Sequence, residues 1–133
     1  MSRPHIAIIG GGPAGLIAAD VLANTCEVHL YEQARTVGRK FLVAGEGGLN
    51  ITNRVEGEEM LGQYAPKDRM RPILAAFGPA ELRAWLAELG VPTFIGSSGR
   101  VFTEKGIKPA EVLKAIVDRL AAKGVQLHVQ HTF

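Results

Sequence analysis

The sequence predicts an α/β fold built on a Rossmann-like βαβ unit with a parallel sheet, and three observations carry that reading. A short apolar, β-rich run, His5–Ile9, leads straight into a glycine cluster, Gly10-Gly11-Gly12-Pro13-Ala14-Gly15. A helical stretch then runs from Pro13 to Ala23, and an alternating segment, Glu27–Tyr31, ends beside an acidic residue, Glu32. Strand, glycine turn, helix and strand in this order describe a right-handed crossover between parallel strands.

Each further element has its own signal. The run Ile6–Ile9 is apolar at successive positions, as for a strand covered on both faces, so it is expected inside the sheet. The long middle, roughly residues 33–78, shows little periodicity and several glycines, and few regular elements are expected there. A helix is predicted from Gly78-Pro79, where proline suits the first turn; it carries Leu82, Trp85, Leu86 and Leu89 on one face and stops at Gly90. Thr93–Ile95 and Arg100–Phe102 flank Gly96-Ser97-Ser98-Gly99 and read as a small hairpin. A last helix starts at Pro109, buries Val112, Leu113, Ile116, Val117 and Leu120, and ends at Gly124. Val125–Val129 alternates apolar and polar residues, the pattern of a half-exposed strand at a sheet edge.

Composition excludes several classes of function. The chain has 133 residues, 47% of them apolar and 21% charged, which is material for one globular domain and not for a disordered tail. A net charge of +2 gives no broad field for nucleic acid or a membrane surface, so any anion must be met locally. The apolar run from Ile6 to Leu22 is interrupted by three glycines, Pro13 and Asp20, so no membrane helix is expected. A single cysteine, Cys26, excludes an internal disulfide and suits a reducing compartment; the start, Met1 to His5, lacks the order of a signal peptide, and a cytoplasmic location is expected. His5, His29, His128 and His131 are dispersed, with only the last pair closely spaced, and no metal site is assigned. Ser97 and Ser98 lack a base, Asp118 reads as solvated, and Cys26 reads as a small apolar residue, so no catalytic side chain is assigned.

The chemistry concentrates in two stretches. In the glycine cluster, Gly10 permits the tight turn, Gly12 lets a pyrophosphate approach the backbone, and Gly15 lets helix and strand pack closely. The amides and dipole at the helix start, around Pro13 and Ala14, then stabilise the anion. Glu32 lies 17 residues past Gly15, where a carboxylate can accept hydrogen bonds from an adenosine ribose, with Gln33 beside it. The competing reading is a tight turn with a solvated strand-end charge. The second stretch, "GRKFLVAGEGGLNITN" from Gly38 to Asn53, has no obvious place in a helix or strand. Arg39 and Lys40 follow Glu32 by seven and eight residues and can lean over the same pyrophosphate, which favours FAD over NAD. Gly45, Gly47 and Gly48 offer amides, and Asn50, Thr52 and Asn53 offer short polar groups for a phosphate or ribityl chain; helix capping or turn formation is their alternative.

Together, "IAIIGGGPAG", Glu32, "GRKFLVAGEGGLNITN" and the downstream "SGRVF" resemble the N-terminal part of a family of bacterial FAD-binding flavoproteins, the NAD(P)/FAD-dependent or aminoacetone oxidase-like oxidoreductases. Many members show Gly-Gly-Gly-Arg-Cys-Asn where this chain has Glu46-Gly47-Gly48-Leu49-Asn50, so no redox cysteine is expected there; Thr103 stands where the family often has proline. The resemblance implies a glutathione-reductase-type FAD domain that is interrupted by a second domain and resumes later. Residues 1–133 would then be its N-terminal part, without the C-terminal half that completes the flavin site. It also implies that the backbone at Phe133 meets the adenine. The activity implied for the full-length parent is FAD-dependent oxidation or reduction of a small-molecule substrate, with NAD(P)H a candidate donor. Two other readings stay open: a nucleotide-binding module without catalysis, and the NAD-binding domain of a dehydrogenase.

Overall fold

The computed structural model describes residues 1–44 and 48–133, so Gly45, Glu46 and Gly47 of the glycine-rich stretch lie outside the described residues. The chain divides into two compact units, residues 1–46 with 108–133, and residues 47–107.

In the first unit, strands β1 (His5–Ile9), β2 (Glu27–Tyr31) and β6 (Gln126–His128) form a parallel sheet in the order β1-β2-β6. Helix α1 (Pro13–Leu22) connects β1 to β2, and helix α6 (Pro109–Ala122) leads into β6. Both crossovers step in the same direction across the sheet, so right-handed connections put both helices on one face. The core there is Leu16 and Ala19 of α1, Val112, Ile116 and Leu120 of α6, and Val28 and Leu30 of β2. Leu113 and Val117 are half-buried, as fits the flanks of the α6 stripe. Asp20, 3% exposed, accepts hydrogen bonds from Arg119 Nε and Lys123 Nζ, each at 2.8 Å, and so ties α1 to α6 by a charged clamp. The opposite sheet face carries His5, Ala7, Ile9, Glu27, His29, Tyr31, Gln126 and His128, all exposed or half-exposed.

Among the described strands of these 133 residues β1 has one neighbour, β2, and Ile9 is 60% exposed. The central place goes to β2, whose Val28 and Leu30 are 1% and 0% exposed. The expected edge position of the last strand is observed in β6.

The second unit holds the antiparallel sheet β3-β5-β4, from β3 (Asn50–Asn53), β4 (Thr93–Ile95) and β5 (Arg100–Thr103). The hairpin around Gly96–Gly99 is present, with Phe94 opposite Phe102. Helix α5 (Pro79–Glu88) starts where proline predicts it, and the Glu81 carboxylate accepts the Gly78 N–H at 2.8 Å. Its Trp85 and Leu86 join Leu49, Met60, Leu61, Val91 and Val101 in this unit's core.

The middle of the chain is more regular than expected. It contains a short helix α2 (Arg39–Leu42), strand β3, helix α3 (Gly57–Leu61) and a ten-residue helix α4 (Lys67–Ala76). Helix α4 was hidden by Pro72 in its interior and by its charged first half. β3 was hidden because an Asn-Ile-Thr-Asn segment has weak β-propensity of its own, and its order comes from pairing with β5.

Candidate dinucleotide site

The glycine cluster is shaped by contacts within the first unit. Gly10 has φ +104°, a left-handed conformation open to glycine, and its N–H donates to Tyr31 O at 2.8 Å, so the turn closes directly onto the end of β2. A Cβ on Gly15 would stand 2.0 Å from Gly10 O, which confirms close helix–turn packing as the reason for glycine there. A Cβ on Gly12 would meet nothing within 4 Å. Gly12 also caps α1 with no side chain to accept its amides, and Pro13 has no N–H to offer. The N–H groups of Ala14 and Gly15 therefore face out of the first turn with no intrahelical acceptor, since Leu16 is the first residue to bond back, to Gly12 O at 3.0 Å. Open space, two outward amides and the positive end of the helix dipole meet at one point.

Gly11, to which the sequence assigned no role, is as constrained as its neighbours. A Cβ on it would lie 2.6 Å from Val37 Cγ1 and 3.1 Å from Glu32 Oε2. Its N–H donates to Glu32 Oε2 at 2.8 Å and its carbonyl accepts the Gly38 N–H at 2.7 Å. Glu32 also accepts the Ala34 N–H on Oε1 at 2.8 Å. The carboxylate thus pins the glycine turn to the segment after β2, and each oxygen keeps a further acceptor position for a hydroxyl.

Those two amides, Ala34 first and Gly11 next, hold the Glu32 carboxyl below its ordinary pKa. A carboxyl that binds protons less readily when folded stabilises the fold at pH above the unfolded value, and loses that contribution as pH falls through the lowered folded value. The stability gap between the parent chain and Glu32→Gln is therefore expected to be constant near neutrality and to close below about pH 4. Urea unfolding at a series of pH values measures it; a gap that persists unchanged to strongly acid pH would show that ionised Glu32 does not pin the turn.

Beyond Glu32 the chain opens a cleft of about 500 Å³ lined by Gln33, Ala34, Arg35, Thr36, Arg39 and Gln130. The backbone builds it: Glu32 N–H donates to His128 O, His131 N–H to Glu32 O and Gln130 N–H to Ala34 O, at 2.8 to 3.0 Å. Arg39 and Lys40 are exposed at the start of α2 and form no ion pair among the described residues. Of the six lining residues, Gln33 and Arg39 were read from the sequence, and Ala34, Arg35, Thr36 and Gln130 were missed. Arg35 had no motif around it, and Gln130 is brought in by backbone pairing across the whole length of the chain. Phe133 stands at the same end, its ring edge-on to Tyr31 with centroids 5.5 Å apart.

The structure thus gathers Gly10, Gly12, Pro13, Ala14, Gly15, Glu32, Gln33, Arg39, Lys40 and Phe133 in the first unit, while Gly48, Asn50 and Thr52 belong to the second. Gly47 lies outside the described residues. Gly48 has φ +120°, Asn50 and Thr52 pair with Phe102 and Val101 across an irregular register, and Asn53 Oδ1 accepts the Val55 N–H at 3.0 Å, a turn role. Leu49 is 3% exposed and serves the core; Thr103 is a buried strand residue whose N–H donates to Leu49 O.

Residues 4–133 match the HI0933-like protein Rossmann domain. The chain belongs to that family. That domain has the Rossmann dinucleotide-binding fold. Among curated proteins it is 30% identical over 127 residues to 3-dehydro-bile acid delta(4,6)-reductase of Clostridium scindens, covering 93% of this chain and 30% of the relative. It is 31% identical over 119 residues to the ribosomal RNA dihydrouridine synthase of Haemophilus influenzae, covering 87% and 29%. The chain thus spans less than a third of these relatives. Among solved structures it is similar to THI4 of Thermovibrio ammonificans, with TM-score 0.59, 19% identity and coverage of 96% and 38%. It is also similar to a 3-ketosteroid-delta4-(5alpha)-dehydrogenase of Rhodococcus jostii, with TM-score 0.54, 15% identity and coverage of 98% and 38%. These two likenesses bear on the fold, and they agree with the expected Rossmann-like parallel sheet. Among the described residues no helix is long and apolar enough to cross a membrane.

Proposed function

We propose that the chain holds the adenosine and pyrophosphate end of FAD, in a longer oxidoreductase that passes a hydride or electrons through the flavin to a small-molecule substrate, in a reducing, cytoplasmic setting. The observation that carries this is the junction at Gly12, where a side chain would find empty space directly in front of the unpaired amides of α1. In that reading the pyrophosphate accepts from Ala14 and Gly15, and Glu32, already held ionised by two amides, accepts from the adenosine ribose. Arg39, with Lys40 next to it, neutralises phosphate charge, and Gln33 borders the adenosine. When bound, the flavin supplies the redox chemistry; these residues bind and orient it. Both curated relatives bear names of reductive reactions, which supports NAD(P)H as the donor. The weak net charge of these 133 residues supports no broad nucleic-acid or membrane surface on this part of the protein; the name of one curated relative, a ribosomal RNA dihydrouridine synthase, makes a nucleic-acid substrate reached through later sequence the second reading. The remainder of the flavin site is proposed to come from later sequence.

Calorimetric titration with FAD and, separately, NAD tests the reading. FAD is expected to bind more tightly, with Glu32→Ala weakening it by about 1–3 kcal/mol and Arg39→Ala by about 1–2 kcal/mol. Equal affinity for both dinucleotides, insensitive to Arg39, would favour an NAD domain. Absence of any binding, both by the chain and by a colourless full-length parent, would sink the dinucleotide site altogether.

A further inference from the structure

The sheet face opposite the two helices carries a cluster that the dinucleotide site does not use. His5 stands opposite Glu27 in the parallel register, and His29 follows Glu27 by two positions on β2, so the pleat puts all three side chains on one face. His29 Nε2 lies 3.3 Å and His5 Nδ1 3.6 Å from the same oxygen, Glu27 Oε1, and one donor atom from each residue falls within 4.8 Å of the other two. A tetrahedral ion with bonds of 2.0–2.2 Å sets neighbouring donors about 3.3–3.6 Å apart. Two of the three separations already have that value.

The outer contacts point the same way. The other ring nitrogen of His29, Nδ1, is 3.0 Å from His128 Nε2, and His128 stacks on Tyr31 with centroids 4.6 Å apart. A metal-bound imidazole characteristically gives its second N–H to a hydrogen-bond acceptor, which fixes its ring plane and the nitrogen it presents to the ion; with the proton on His29 Nδ1, His128 Nε2 is placed to be that acceptor. As ion pairs alone the three groups gain little, with side chains 69%, 43% and 24% exposed for His5, Glu27 and His29. Two imidazoles and one carboxylate suit a borderline divalent ion and not magnesium or calcium, which take oxygen sets.

We propose that His5, Glu27 and His29 form a site for one divalent transition ion of the zinc type, linking strand β1 to β2 and leaving a fourth position for water or another ligand. The site is separate from the glycine turn and does not depend on the flavin reading. Sequence inspection hid it because His5 and Glu27 are 22 positions apart and meet only through strand register.

The test uses the untagged full chain, stripped by chelator and dialysed, titrated first with Co²⁺ alone and then with Zn²⁺ alone. Co²⁺ is expected to saturate at one equivalent with the intense visible absorption of low-coordinate cobalt, and Zn²⁺ to displace it. His5→Gln and Glu27→Gln, both at exposed positions, are each expected to weaken Zn²⁺ binding by at least about tenfold with unchanged circular dichroism. His128→Gln should weaken it measurably through His29, and His131→Gln should leave it unchanged. Binding that does not saturate at one equivalent, that survives both His5→Gln and Glu27→Gln, or that falls as much in His131→Gln would overturn the proposal and leave a surface cluster of paired histidines.

Discussion

Gly12→Val is expected to leave the chain folded and to remove its affinity for FAD. Gly12 has φ −78° and ψ 179°, extended backbone that valine adopts readily, and a Cβ there would touch nothing within 4 Å. Within the described residues the only local preference for glycine here is a modest one at a helix N-cap. A bound group supplies a stronger one, because the isopropyl group would fill the space in front of the Ala14 and Gly15 amides, where a pyrophosphate would sit. Losing both the close approach and the amide contacts costs several charge-assisted hydrogen bonds, about 1.5–3 kcal/mol each, so at least a hundredfold loss of affinity is expected. Thermal unfolding should move by no more than about 3 °C. FAD affinity within about threefold of the parent would mean that the phosphate seat lies elsewhere.

Gly15→Ala is expected to do the reverse, damaging the fold itself. Its Cβ would lie 2.0 Å from the Gly10 carbonyl oxygen and 3.2 Å from the carbonyl carbon, atoms of a backbone that is already anchored to β2 through Gly10 N–H. Alanine gains up to about 1 kcal/mol over glycine inside a helix. That gain cannot offset a clash of this depth, since relief requires α1 to move off the turn and uncover Leu16 and Ala19, 1% and 0% exposed. A net loss of about 3 kcal/mol, or a fall in Tm of roughly 10 °C, is expected in a denaturation series that includes Gly12→Ala as the tolerant control. Equal stability of the two alanine variants would show that the turn can shift freely and that Gly15 is not a packing residue.

The contrast between these two glycines shows what could be read in advance. The motif spacing gave the turn, the phosphate approach and the packing roles to Gly10, Gly12 and Gly15, and the contacts within the first unit agree for Gly10 and Gly15, while Gly12 is open as a ligand seat requires. Gly11 went unread because its neighbours, Val37 and the Glu32 carboxylate, approach from 21 or more positions away. Gln130 and the His5–Glu27–His29 cluster share that cause. Helix α4 and strand β3 had another: their local signals, a proline-interrupted polar segment and an asparagine-rich one, are weak, and neighbouring elements give them their order.

By itself the sequence determined the βαβ start, the helices α5 and α6 with their proline starts, the hairpin of β4 and β5, and the type of chemistry at the glycine turn. All of these rest on periodicity, capping and turn preferences, which act over a few residues. Only the tertiary structure decided that Glu32 holds the glycine turn, that Asp20 clamps α1 to α6, and which polar residues stand together. Those facts depend on register and strand order, which bring residues as distant as Glu32 and His131 within hydrogen-bond reach and leave no local pattern in the chain.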